Sequence, residues 1–280
     1  MGIFLRNAED VFQSLSAELE FIDDVLCLSG SHQDVFNVNR YILIHRMLEC
    51  VHARLDGLIE PHSDSLMVSL SCRAFQNGIQ LDSAFIYNHE KYDSGDSMKD
   101  IQPGASIELM EAYVLSSETA PIEFEVEESF SFAGEKLGQL FVISDETSIR
   151  LSAAPEGDFT AEVGDYTVSI VSYKLTEDYE GSPAILIELG FTNNSDEPAI
   201  FASSVSFSAF QDGIELDTAY IYGDDSGSGT SQMRYIKPGA GATVTKAFVL
   251  TSETSVIDIE IEEYFSFSGE TIKTEISLEG

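Results

Sequence analysis

The sequence predicts a mainly β protein: two tandem antiparallel β-sandwiches, the first truncated and preceded by a helical N-terminal segment. Three observations carry that reading. The stretch "AFQNGIQLDSAFIY" at 74–87 returns as "AFQDGIELDTAYIY" at 209–222, a shift of 135 residues. The match continues through "MKDIQPGA" and "MRYIKPGA", "AYVLSSET" and "AFVLTSET", and "EFEVEESFSFAGE" and "DIEIEEYFSFSGE". Over about sixty positions roughly half are identical, which marks two copies of one domain. Within each copy apolar and polar residues alternate with period two between turn clusters, the pattern of half-buried strands.

The elements follow in chain order. Residues 1–60 do not match the repeat. In "DVFNVNRYILIHRMLECVHARLDGLIE" the residues Ile42, Met47, Leu48, Val51 and Leu55 recur at helical spacing, and residues 7–28 form a second helical candidate. This segment stands where the first strands of copy two would have their twins. Residues 1–90 contain no Lys, and all three cysteines and four of the five histidines precede residue 73. Three accounts compete: a helical cap replacing lost strands, deep divergence of the repeat, and a shifted reading frame upstream of residue 60.

Residues 61–144 read as the partial first copy, and 145–157, "DETSIRLSAAPEG", as a polar linker ending in Pro155 and Gly157. Residues 158–280 read as the complete second copy. Its strands are "YTVSIVSYKL", "AILIELGFTN", "VSFSAFQ", "ELDTAYIY", "TVTKAFVL", "IDIEIEEYFSF" and "TIKTEISL". Asn77-Gly78 and Asp212-Gly213 are two-residue hairpin signals, because both central residues of a type I′ turn take positive φ. Pro238-Gly239 reads as a further turn. The repeated stretch is therefore architectural, and Gln76 and Gln211, just before the turns, are expected to cap backbone groups.

Composition narrows the function classes. The chain has 280 residues and enough apolar content, 43%, to build two cores. Asp and Glu number 49 against 14 Lys and Arg, a net charge of −35. Such a surface repels phosphate backbones and anionic lipids, so neither nucleic acid nor membrane insertion is expected. No apolar run approaches the ~20 residues that span a bilayer. The start, "MGIFLRNAEDVF", lacks the features of a signal peptide, so the chain as written reads as cytoplasmic. Cys27, Cys50 and Cys72 are odd in number and lack metal-site spacing, so free thiols are expected.

Candidate chemistry is sparse. Residues 158–280 contain no His and no Cys, so no Ser-His-Asp or Cys-His arrangement can be built there. His45 and His52 lie seven apart beside Cys50, too few ligands for a metal site. Glu263 and its twin Glu128 fall on the apolar parity of their strands. A bulge or a strand end explains them, and a buried carboxylate is the sharper alternative. Tyr220, Tyr222 and Tyr264 are candidate binding anchors, with strand packing the competing explanation. The loop "GDDSGSGTSQ" at 223–232 is acidic but fails the EF-hand pattern, as does "NHEKYDSGDS" at 88–97. No catalytic, cofactor or metal residue is assigned.

Copy two, from "DYEGSPAILIELGFTNNSDEPAIFASSVSFSAFQDGIELDTAYIY" through "IKPGA" and "AFVLTSET", resembles a family of Gram-positive bacterial domains of unknown function. That family is grouped with immunoprotective extracellular proteins of immunoglobulin-like fold. The resemblance implies two immunoglobulin-like sandwiches and an extracellular or cell-surface location. It brings no catalytic residues. The expected function is a non-enzymatic, surface-exposed or secreted interaction module with an unknown protein or glycan partner and no cofactor. The alternatives are a calcium-stabilised adhesin-like module and a carboxylate-based glycan hydrolase.

Overall fold

The structure is a computed structural model. It describes residues 25–27, 41–49, 64–65, 70–84, 100–101, 106–128, 136–221, 231–264 and 270–278. In chain order the strands are β1 (Val25–Cys27), β2 (Tyr41–Glu49), β3 (Asp64–Ser65), β4 (Leu70–Gln76), β5 (Ile79–Gln80), β6 (Ser83–Ala84), β7 (Asp100–Ile101), β8 (Ser106–Val114), β9 (Ile122–Glu128) and β10 (Lys136–Phe141). Then come β11 (Phe159–Val163), β12 (Tyr166–Glu177), β13 (Pro183–Asn193), β14 (Ala199–Ile200), β15 (Val205–Gln211), β16 (Ile214–Glu215), β17 (Tyr235–Ile236), β18 (Gly241–Val249), β19 (Ile257–Glu263) and β20 (Ile272–Ile276). Among the described residues a helical turn, Phe201–Ser204, and a 3-10 turn, Ser231–Met233, interrupt them. Among the described residues the strand pairings are antiparallel. Among the described residues no helix is long and apolar enough to cross a membrane.

The chain divides into two compact units. One comprises Met1–Gln76 with Leu81–Ser148, and the other Asn77–Gln80 with Ile149–Gly280. The second unit is a β-sandwich. One sheet runs β11-β12-β13-β18 and the other β16-β15-β19-β20. The alternation read in the sequence supplies the core between them. Ile185, Ile187, Leu189 and Phe191 of β13 meet Phe207, Ile259 and Ile261 of the opposite sheet in one buried cluster. Phe191 contacts Phe201 edge to face, and Phe207 stacks on Phe248. A register shift between Ile170 and Ser172 in β12 marks a bulge.

The first unit repeats much of this arrangement. Strands β10-β9-β4 pair as β20-β19-β15 do, with Leu70 opposite Glu128 where Val205 faces Glu263. Its core gathers Ala74, Tyr113, Ile122, Phe124, Val126 and Phe141. Tyr113–Phe124 and Phe124–Phe141 are edge-to-face pairs.

The helix expected over residues 1–60 is corrected where the structure describes it. Tyr41–Glu49 is a nine-residue strand paired along its whole length with β8, and Val25–Cys27 pairs with it in turn. The reason is tertiary. Strand β8 would otherwise leave one row of N–H and C=O groups unpaired, and a "YILI" tract has the β propensity to close that ladder. Helical spacing in a short apolar run is a weaker constraint than an open sheet edge. Copy one therefore has strands beside β8, as β13 and β12 stand beside β18, and it is less truncated than its sequence suggests. The other residues of that segment, including Cys50, His52 and residues 57–59, lie outside the described residues.

The stretch read as the linker, residues 145–157, divides between the two units after Ser148. From Ile149 onward it belongs to the second unit, and its end crosses the outer face of that unit's first sheet. Gly241 N–H donates to the Ser152 carbonyl at 2.7 Å, and the Ser169 hydroxyl donates to the Pro155 carbonyl at 2.8 Å. A Cβ at Gly190 would stand 2.2 Å from the Pro155 oxygen, and one at Gly241 would stand 2.1 Å from the Ala154 nitrogen. These two glycines leave the sheet face bare, which allows the backbone of 152–157 to lie against it.

Candidate interaction surface

Asn77 and Gly78 have φ of 54° and 81°, and Asp212 and Gly213 have 52° and 79°. Both turns are the type I′ connections their sequences call for. Gln76 and Gln211 are buried, and each holds a neighbouring loop by five hydrogen bonds. The Gln211 amide donates to the Ser252 and Ser255 carbonyls, and its oxygen accepts from Thr251 N, Thr251 Oγ1 and Ser252 N. Gln76 does the same with Ser117, Ala120 and Ser116. Every polar group of each amide is satisfied inside the protein, so these glutamines are structural clamps.

Glu263 closes β19 opposite Val205, with no shift of register beside it. It is half-buried at the strand end, and its carboxylate packs against the Gly164 turn, where a Cβ would stand 2.2 Å from Glu263 Cδ. The strand-end explanation therefore accounts for Glu263. Glu128 also ends its strand, β9. His45 lies in strand β2, which removes the helical face it was expected to share with His52. Cys72 is half-buried in β4. Among the described residues no group of three His, Cys, Asp or Glu side chains is placed to hold a metal ion. Tyr222, most of the 223–232 loop and the 88–97 loop lie outside the described residues.

The outer faces of the β4-β9-β10 and β15-β19-β20 sheets carry acidic ladders. Asp258, Glu260 and Glu262 line β19, and Glu123, Glu125 and Glu127 line β9. Among the described residues a cation meets each ladder. On β19 it is Lys273, from β20, whose ammonium lies 2.5 Å from Glu260. The hydrogen bond to Glu260, then that carboxylate's charge, raises the Lys273 pKa. On β9 it is Arg73, from β4, which pairs with Glu127. Beside the β19 ladder an open groove of about 480 Å³ is lined by Phe210, Gly213, Asp258, Glu260, Lys273 and Glu275. Lys246 sits on the inward parity of β18, opposite Ile187, and burial lowers its pKa.

The aromatic candidates separate. Tyr264 follows the last residue of β19 and is exposed. Tyr220 is 66% exposed and meets Tyr179, itself 57% exposed, edge to face at 6.4 Å between ring centroids. The sequence reading missed Tyr179, because only the tertiary structure brings the β12–β13 turn against residues 216–220. Both backbones are held. Tyr179 N–H donates to the Tyr220 carbonyl at 2.9 Å, and Ala219 N–H to the Ala247 carbonyl at 2.9 Å. Asp178 Oδ1 accepts from Glu180 N and Ser182 N. The Tyr179 hydroxyl donates to Glu180. Two large rings thus stay in water on a fixed frame, with carboxylates beside them.

No curated protein matches the chain. An NMR structure of a protein from Enterococcus faecalis is similar at 16% identity, covering 45% of this chain and 94% of its own length, with a TM-score of 0.35. That likeness is too distant to bear on fold or function. A family model described as a domain of unknown function, DUF5067, matches residues 59–128 and 144–263, one stretch in each copy of the repeat. The chain belongs to the DUF5067 family.

Proposed function

We propose that the chain is a non-catalytic interaction module of the bacterial surface or of secreted material. Its contact point is the corner formed by Tyr179 and Tyr220. The observation that carries this reading is the exposure of two large aromatic rings on a hydrogen-bonded frame. Exposed aromatics on a rigid frame lose little side-chain entropy on binding and dominate contact energies. Carboxylates of Asp178 and Glu180 beside the rings, in a chain of net charge −35, suit a protein or glycan that presents cationic groups. The resemblance to Gram-positive extracellular domains supports the location. The absence of His and Cys from residues 158–280 supports a non-enzymatic role.

Calorimetric titration with an arginine-rich nonapeptide and with a chitosan oligomer tests the reading. The expected result is binding that weakens at least tenfold in Y179A/Y220A and survives in Y179F/Y220F, which keep both rings. Equal affinity in the alanine variant would assign any binding to diffuse surface charge and sink the proposal.

A further inference from the structure

The acidic faces of the two copies share one register and differ in what fills them. In copy one Arg73 stands opposite Glu125, and its largely buried guanidinium pairs with Glu127. Phe75 stands opposite Glu123 and is fully buried. Leu140 faces the same Glu123 from β10. Gln80, beyond the hairpin turn, accepts from Tyr235 N–H at 3.1 Å. Copy one thus builds a guanidinium into its own face and closes the position of the phenyl ring.

Copy two keeps the phenyl ring and changes its neighbours. The twin of Arg73 is Ser208, which faces Glu260. The twins of Gln80 and Leu140 are Glu215 and Glu275. Across β16, β15, β19 and β20 the register gives one row, Glu215, Phe210, Asp258 and Glu275. Asp258 and Glu275 are like charges directly opposite each other, an arrangement that costs stability. Phe210 is only half-buried, and it lines the open groove of about 480 Å³ together with both of those carboxylates. At the Gly213 wall nothing lies within 4 Å of a Cβ, and the neighbouring Ile214 is 69% exposed. Lys273 also lines the groove, but its ammonium lies on Glu260, in the next row.

We infer that this groove takes the guanidinium of an arginine presented by a partner protein, the group that copy one supplies from Arg73. A guanidinium is planar, so it lies on the Phe210 ring while its edge donates to Asp258 and Glu275. Joining those two carboxylates also relieves their mutual repulsion. A lysine ammonium is a compact, strongly hydrated charge and serves ring and carboxylates together less well. A metal ion fits poorly, because among the described residues no three His, Cys, Asp or Glu side chains are placed to hold one. The net charge of −35 draws a basic partner in and makes the binding weaken as salt rises. A single stacked and paired guanidinium gives a Kd of about 1–10 mM, which further contacts of the partner would tighten. The groove is a second contact point, separate from the Tyr179–Tyr220 corner.

Amide NMR shifts of the full chain, titrated at low salt with acetyl-Arg-Arg-amide, test this directly. The shifts should centre on Phe210, Asp258 and Glu275. The Kd should rise about fivefold or more in D258N/E275Q and in F210L, and stay unchanged in Y179A/Y220A. Acetyl-Lys-Lys-amide should bind about threefold more weakly than the arginine peptide. D258N/E275Q removes a repulsive pair from an exposed face, so it should keep the parent's melting temperature or exceed it. No shift at these residues up to about 20 mM peptide overturns the proposal. So do equal affinities for the two dipeptides, and a Kd that either groove variant leaves unchanged. Shifts lost in Y179A/Y220A instead would move the arginine to the aromatic corner, overturning the groove and leaving the proposed function standing.

Discussion

The two acidic ladders are built alike and neutralised differently. On β19 the cation comes from the β20 side, as Lys273, while Ser208 of β15 faces Glu260. On β9 the described ion pair comes from the opposite side, as Arg73 of β4, while on β10 Gly138 faces Glu125 and Lys136 faces Glu127. The two differ in setting as well as origin. The Arg73 side chain is 12% exposed and the Lys273 side chain 68%. Three like charges along one strand repel wherever the backbone puts them, so each ladder needs a counter-charge. Which neighbouring strand supplies it is not dictated by the backbone. What the backbone repeats is the hairpin, the glutamine clamp and the core parity, and what varies is how each copy solves the surface charge it inherits.

The comparison can be broken at several points. The largest effect is expected at the shared clamps. Gln211→Ala leaves two N–H groups and two carbonyls without partners, and should lower the unfolding free energy by about 3–4 kcal/mol. Gln76→Ala should do the same, and urea denaturation of each variant checks the equivalence. A large difference would show that one loop finds water where the other does not.

The ladders should then diverge. Arg73→Ala removes the partner of a partly buried carboxylate and should cost about 3 kcal/mol. Lys273→Ala should leave the melting temperature within error, because the pair is exposed and screened. Its sign can be followed with pH. A raised lysine pKa contributes stability below the ordinary value of 10.5, and that contribution is lost as pH rises through the folded-state value. Thermal melts of both variants between pH 7 and 11 separate the two cases.

The hairpin glycines sharpen the contrast further. Gly78→Ala and Gly213→Ala both force a side chain into positive φ, at about 1 kcal/mol. Only Gly78→Ala also drives a Cβ toward Ala240 and Leu151, adding about 1–3 kcal/mol of overpacking. Chemical denaturation of both variants should show that order, and equal losses would deny that the Asn77–Gln80 tip is tightly packed.

The smallest effect concerns a pair of inward positions. Glu111 accepts from the Tyr113 hydroxyl at 2.5 Å, while its twin position holds Lys246, with Phe248 where the tyrosine was. Lys246→Met should be neutral or stabilising by up to about 1 kcal/mol at pH 7, because a half-buried ammonium is replaced by a chain of similar shape. Since burial lowers the Lys246 pKa, the unfolded chain binds the proton more tightly. The parent's stability should therefore rise with pH up to about 10.5, and the advantage of the methionine should fade over the same window. Denaturation midpoints at pH 7 and 10.5 measure both.

Much of this was readable in the residues themselves. The period-two runs place Ile257, Ile259 and Ile261 in the core because side chains alternate across a strand. Asn-Gly and Asp-Gly set the turns because positive φ is cheap only for such residues. The function of Gln76 and Gln211 followed from their place beside those turns. The reading failed at Tyr41–Glu49, where local spacing favours a helix and the unpaired side of β8 demands a strand. Residues 152–157 read in the sequence as part of a polar linker, and composition does not say what they lie against. Two glycines far along the chain, Gly190 and Gly241, turn that stretch into a packed segment.

Sequence alone determined the duplication, the turn types, the antiparallel β class and the acidity, because each depends on neighbours within a few residues or on bare composition. Tertiary structure alone decided that Tyr179 meets Tyr220, that Lys273 and Arg73 approach their ladders from opposite sides, and that one hairpin tip is packed while its twin is exposed. Those outcomes depend on groups from 13 residues apart, for Lys273 and Glu260, to 155, for Gln80 and Tyr235, and local pattern carries no record of which group arrives.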